Sequence, residues 1–355
     1  MNAHDILHQR LTTQGLVKNS FKSPHDAVHY LGAVQAQEFS PSKWGMGLRI
    51  KGMNNEDITE AFNEGKILRT HVMRPTWHYV SPEDIGWMEM LTGPRVNQLM
   101  GYYNRKLELS DKTFEKTNNI ISRALKGDNY LTRQELRKII QEEGITYNVQ
   151  KLAHIVSRAE LDGIICSGPL KGKQFTYALI EERAPNAKTL SREKALEELV
   201  VRYFTSHGPA TVKDFVWWSG LTTSDVRKGI EMTKNKLKFM ELNNHTYYFS
   251  PKQKKIIEDS EAVYLLPCYD EYTIGYTSKH ALYVPPTVRI TALNGFYNAI
   301  VKDGLVVGMW RRTLHKDHIT IHTRMNIPFT KKENESLHVQ VEKYGEFFGT
   351  KAKLD

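Results

Sequence analysis

The sequence predicts an α+β protein made of three tandem winged-helix units and a small C-terminal β-rich domain. Three observations carry this expectation. Between Asn129 and Arg183 two amphipathic helices precede two strands joined by a Gly-, Pro- and Lys-rich turn, a combination more specific than either part. The same order of helices and then ribbon occurs before and after it, without a residue-by-residue repeat. Beyond Glu261 the helical period gives way to short strand-like runs. The expected units are residues 1–110, 119–187, 190–252 and 260–355, with joints near 110–119, 185–191 and 252–259.

In the first unit, SPHDAVHYLGAV has Ser23 as N-cap, Pro24 at the first helical position and Asp26 in the first turn. Ala27, Tyr30, Leu31 and Val34 then recur at helical spacing. A second amphipathic stretch covers 55–64, and ILRTHVMRPTWHYV reads as one or two strands broken at Pro75. The second unit opens on a capping box, Thr132 with Glu135, ahead of Leu136, Ile139 and Ile140. VQKLAHIVSRAELDG continues it, and the hairpin IICSGPLKGKQFTYALIEER carries Lys171 and Lys173 at its tip. The third unit runs from SREKALEELVVRYFTSHG through a short helix turning at Gly220 and a Thr-capped helix to two strands around Asn243-Asn244. AVYLLP, NAIVKDGLVVGMWRR with its Asp303-Gly304 turn, and HITIHTRMNI then suggest a partial barrel.

A chain of 355 residues with 40% hydrophobic and 25% charged residues is an ordinary globular composition, and its net charge of +9 favours a polyanionic partner. Winged helices place one helix in the major groove and a basic wing on phosphate, so double-stranded DNA is the expected partner, with Lys171 and Lys173 among the contacts. The two cysteines, Cys166 and Cys268, have no metal spacing, which fits a reducing cytoplasm. No apolar run reaches membrane length, and MNAHDILHQRL lacks the apolar stretch of a secretory signal. No coiled coil or dimer helix is evident, so a monomer is expected. No phosphate loop, nucleophile elbow or HExxH motif occurs. His318 and His322 share a strand face near His315 but lack a Cys or carboxylate at ligand spacing, so neither metal nor cofactor is expected.

The run AVQAQEFSPSKWG holds Gln35 and Gln37 either side of Ala36. On a helix they would point roughly 200° apart, whereas on an extended segment they share a face. They act together only if the helix ends by about Val34 or Gln35. Spacing alone favours a plainer reading, in which one amide is exposed and the other ties down a helix end. In MRPTWHYV strand alternation would put Arg74, Thr76 and His78 on one polar face. A single histidine there is more often structural than catalytic. Asp270 and Glu271 are neighbours in LPCYDEYTIGY, so they point apart and make a poor acid–base pair; Asp270 suits a capping role better than lone-carboxylate catalysis.

AVQAQEFSPSKWGMGLR, MRPTWHYVSPEDIGWM, GPATVKDFVWWSGL, LPCYDEYTIGY and GLVVGMWRR together resemble the AlkZ-like family of bacterial winged-helix DNA glycosylases, from about Ala27 to Arg312. The resemblance implies tandem winged helices and a C-terminal β-domain forming a cleft around DNA. It also implies a catalytic motif of Gln or His, an aliphatic residue, then Gln or Asp. Gln35-Ala36-Gln37 fits the Gln-x-Gln form, with an alanine smaller than the usual middle residue. The implied activity is monofunctional hydrolysis of the N-glycosidic bond of cationic N7-alkylated purines in DNA. Arg74, Thr76, His78, Asp270, Arg311 and Arg312 lie in the matched motifs as candidates for lining the cleft or holding phosphate. The alternative is a non-enzymatic winged-helix DNA-binding protein such as a regulator.

Overall fold

The computed structural model describes residues 1–18, 21–145, 148–253, 261–277 and 298–355. Among the described residues the chain is a mixed α+β protein of fourteen helices and four sheets, and no helix is long and apolar enough to cross a membrane.

The first group comprises α1 (Ala3–Thr13), α2 (Pro24–Leu31), β1 (Val34–Gln35), α3 (Phe39–Gly47), α4 (Asn55–Asn63), β2 (Leu68–His71), β3 (Trp77–Val80) and α5 (Ile85–Lys106). Helix α2 starts as its sequence dictates, with the Ser23 hydroxyl accepting from Asp26 N–H and Pro24 in the first turn. It stops at Leu31, before Val34, because Gly32 takes φ 88°, a conformation other residues adopt only under strain. The chain then runs extended into β1, which pairs with β3 in a sheet of order β1-β3-β2. Pro41 lies inside α3, where proline is tolerated in the first turn. Arg74, Pro75 and Thr76 are not on a strand, contrary to the alternation expected of them. They form the loop of the β2–β3 hairpin, in which Met73 has φ 64° and Arg74 and Thr76 N–H groups each reach back two residues.

The second group has its own core. Helices α6 (Asp111–Leu125), α7 (Arg133–Glu142) and α8 (Val149–Leu161) pack Phe114, Ile121, Leu136, Ile140, Ile155 and Val156 over the sheet of β4 (Leu131–Thr132), β5 (Ile165–Ser167) and β6 (Thr176–Leu179). The joint expected at 110–119 is occupied by α6, since Ser110 caps a helix whose Phe114, Ile120, Ile121 and Leu125 form one buried face. After the short α9 (Ile180–Arg183) comes the third group: α10 (Arg192–Ser206), α11 (Val212–Ser219), α12 (Thr223–Met232), and the ribbon β7 (Lys238–Leu242) with β8 (His245–Phe249). Asn243 and Asn244 both take positive φ, as a two-residue hairpin turn requires. The joint expected at 252–259 falls largely on 254–260, outside the described residues.

The C-terminal strands β9 (Val263–Leu266), β10 (Asn298–Lys302), β11 (Leu305–Leu314), β12 (His318–Met325) and β13 (Lys351–Leu354) form a sheet of order β13-β12-β11-β10-β9, with the four-residue α13 (Glu271–Ile274) following β9. Among the described residues this sheet is open, not a partial barrel. Helix α14 (Lys331–Phe347), unread in the sequence, packs on it through Leu337, Val341, Tyr344 and Phe347. Trp44 of α3 joins this layer to the first group: its Nε1–H donates to Leu265 O at 2.6 Å, and its ring meets Tyr344 edge-on. One continuous apolar core therefore runs from the first and third groups into the sheet.

Candidate active site

Strand β1 settles how the two glutamines stand. Gln35 pairs with His78 across the ladder, and Ala36 N–H donates to Trp77 O at 2.7 Å, so the run is extended from Val34 through Ala36. Ala36 is fully buried in the core, and alternation along the extended run would turn Gln35 and Gln37 away from it. Core space at that point is already filled, so a small residue between the amides is compatible with tight packing.

The two amides have different surroundings. Gln35 is buried; its Oε1 accepts from Arg74 Nη2–H at 2.8 Å, and its main-chain N–H donates to Glu271 Oε1 at 2.8 Å. Gln37 is half-buried, accepts at 3.3 Å from Trp77 N–H, and lines a cleft of about 1050 Å³. That cleft is walled by α3, α4, the second-group hairpin and β11. Lys173, Arg312, Arg69, Lys43 and Phe175 share its lining. Glu38, Glu56 and Glu60 line it as well, so Gln37 stands at a cleft of mixed charge, and Gln35 is not in its lining.

Of the nominated contacts, Arg74 and His78 meet at Gln35, and Lys173 and Arg312 meet at the Gln37 cleft. Arg312 bonds the Tyr344 hydroxyl and lies 3.3 Å from Ser40 Oγ. Arg311, one residue away on β11, is exposed and absent from the cleft lining, as strand alternation requires. Lys171 is tied to Glu135 at 2.6 Å. Thr76 offers its carbonyl to His78 Nδ1 at 2.9 Å, and its hydroxyl is buried without a hydrogen-bond partner among the described residues. Asp270 is not in the cleft. It caps α13 and pairs bidentately with buried Arg49 at 2.7 and 2.8 Å. Its neighbour Glu271 points the other way, to Gln35, as expected of adjacent residues.

Sequence reasoning passed over Glu271 as a site residue, and Arg69, His207 and Trp218 with it. Arg69 Nε–H donates to Ala36 O at 2.9 Å, and its guanidinium lies between the rings of Trp77 and Phe175 at 4.4 and 4.6 Å. Glu271 also accepts from Trp218 Nε1–H at 2.9 Å and lies 3.2 Å from His207 Nε2. The signal available for Arg69 was a charge inside an apolar strand run. For Glu271 it was membership of LPCYDEYTIGY.

Electrostatics exclude His78 as an acid. Burial, and after it the Arg74 guanidinium, pull its pKa down to about 3. As a neutral ring it donates from Nδ1 to Thr76 O and presents the Nε2 lone pair to Arg74 at 3.4 Å. Burial would raise the Glu271 carboxyl, but bonds from His207 and the Gln35 N–H, with the charge of Arg74, bring it down to about 2. Both depressed values make the fold acid-sensitive. The unfolded chain takes up the His78 proton below about 6.5 and the carboxyl proton below about 4.5, while the folded protein resists until about 3 and about 2. Stability is therefore full above pH 6.5, falls as pH drops, and falls faster below 4.5. Urea unfolding at pH 8, 6, 5 and 4 measures this slope, and His78→Phe should flatten it between pH 6.5 and 5.

The sequence pattern of the family described as DNA glycosylase AlkZ-like matches residues 28–347. The chain is 22% identical over 347 residues to an interstrand DNA cross-link repair glycosylase of Streptomyces sahachiroi, covering 93% of each protein. Its fold is similar to the solved structure of Streptomyces sahachiroi DNA glycosylase AlkZ, with a TM-score of 0.84 across the whole of both chains at 19% identity. A match spanning nearly the whole chain, in a protein whose fold agrees from end to end, leaves one assignment: the chain belongs to the AlkZ-like family of DNA glycosylases.

Proposed function

We propose that this protein is a monofunctional glycosylase that hydrolyses the N-glycosidic bond of cationic N7-alkylated purines in double-stranded DNA, with bulky adducts and interstrand crosslinks in its range. The three helix-and-ribbon groups are read as tandem winged helices that hold the duplex, and the protein is read as a cytoplasmic monomer. The observation that carries the reading is the pair of neutral amides flanking buried Ala36, with Gln37 lining a cleft that also holds Lys43, Arg69, Lys173 and Arg312.

The chemistry fits a neutral site. As the glycosidic bond breaks, the sugar gains positive charge. A purine alkylated at N7 already carries a positive charge and leaves without being protonated. The protein must then hold a water beside the anomeric carbon and offer dipoles to the cation, and amide oxygens do both; the C–N electron pair leaves with the purine, and the proton that water loses on bonding to carbon passes to solvent. Gln37, open to the cleft, is assigned the water. Gln35, braced by Arg74 and Glu271, is assigned to the sugar cation. Arg69, Lys173 and Arg312 hold phosphate, contributing affinity that falls as salt rises.

The test is excision from duplexes carrying N7-methylguanine, an N7 crosslink, N3-methyladenine, uracil or unmodified guanine, followed by alkali cleavage. Strand breaks at the N7-alkylated purines and none at uracil or guanine are expected. Sequence-selective binding without breaks at any lesion would instead point to a non-enzymatic DNA-binding protein.

A further inference from the structure

A charge stands behind the two neutral amides. Glu271, 1% exposed, opens α13, and three donors converge on it: Gln35 N–H on Oε1, and Trp218 Nε1–H with His207 Nε2–H on Oε2. His207 Nε2 stands 3.2 Å from Oε2, and burial lowers the pKa of its ring. Among the described residues no Lys or Arg is bonded to this carboxylate. The cation wired to the same site is Arg74, which holds Gln35 Oε1 from the other side. Gln35 is thus strung between an anion at its main chain and a cation at its side chain.

Three converging donors need acceptors on both oxygens, which a carboxylate supplies and a neutral amide does not, and the charge comes with them into a buried position. A buried anion with no bonded Lys or Arg among the described residues, set against the main chain of Gln35, bears on whatever charge develops at that amide. Building on the glycosylase reading above, we infer that Glu271 is a positioning residue of the site: its anion clamps the Gln35 main chain and biases the surroundings of that amide toward a cation. In a water-poor setting its field favours positive charge on the sugar, and it offsets Arg74, whose charge alone would oppose that step. The clamp draws on separate parts of the chain, with Glu271 from the segment after β9, Trp218 from α11 and His207 from the end of α10.

Glu271→Gln removes the charge and keeps the size. Its new NH2 would face the Trp218 N–H, so it is made alone and together with Trp218→Phe, which removes that conflict. The measurements are the single-turnover excision rate constant on a duplex with one N7-methylguanine, the Kd for that duplex, and Tm. Both Glu271→Gln proteins should lose about 10–100-fold in rate constant, with Kd within about threefold of wild type. Added to Gln35→Ala, Glu271→Gln should cost less than about twofold more, because the charge works through Gln35. Trp218→Phe alone, which removes one of the three donors, should slow excision about threefold or more at unchanged Kd, and it carries the test if the double variant fails to fold. Wild-type excision by these variants, or a loss mirrored equally in Kd and Tm, overturns the inference and leaves the glycosylase reading standing. A wild-type protein that leaves N7-methylguanine in place overturns that reading first, and the inference with it.

Discussion

Gln37→Ala should lower the single-turnover excision of N7-methylguanine by about 10²–10³-fold while leaving duplex affinity nearly unchanged. Gln37 is the amide that lines the cleft, and apart from Trp77 N–H no hydrogen bond occupies its oxygen among the described residues. A carbonyl has two lone pairs, so one remains to hold water. Gln35→Ala should cost a similar factor and also strand Arg74, whose guanidinium loses its 2.8 Å acceptor. The two losses should be far from additive, since both amides serve one transition state. Gln37→Asp should widen the substrate range, because a carboxylate can accept a proton from water and an amide cannot. Full activity in either alanine variant would remove these residues from the mechanism.

Asp270→Ala should destabilise the fold by about 3–5 kcal/mol, because it leaves the buried Arg49 guanidinium unpaired. Every arm of that guanidinium is engaged: Nε with Gln14 O, Nη1 with Gly45 O and Asp270, Nη2 with Gln14 Oε1 and Asp270. Gly45 permits this approach, since a Cβ there would stand 3.0 Å from Asp270 Oδ2. Asp270 also caps α13, so its loss should loosen Glu271 and slow excision. Asp270→Asn, which keeps a capping oxygen, should retain more of both. Urea unfolding and excision rates measured on the two variants separate these effects, and equal stability of Asp270→Ala and wild type would refute the argument.

Much of the secondary structure was legible because it follows from local chemistry. The Thr132–Glu135 capping box, the proline at the start of α2, the Gly220 turn and the Asn-Asn turn each act within a few residues, and α7, α8, α10, α11, α12 and the hairpins that follow them stand where those signals place them. The misses have local causes too. Arg74 and Thr76 were assigned to a strand because alternation continues through a loop as easily as along a ladder. The extended course of Gln35 and Gln37 was posed by the sequence as a condition for joint action, and Gly32 ends α2 early enough to satisfy it.

By itself the sequence determined the order of elements, the basic character of the chain and the two amides that spacing allows on one face, since propensity, capping and alternation are short-range. Only the tertiary structure decided which of those residues share a site. Asp270 and Glu271 are adjacent in the chain, yet one serves Arg49 and the other serves Gln35, 236 positions away. Arg311 and Arg312 part in the same way, one to solvent and one to the cleft. Such choices depend on the direction of a side chain within a packed core and on which buried charges find partners, and those are long-range quantities set by the whole fold.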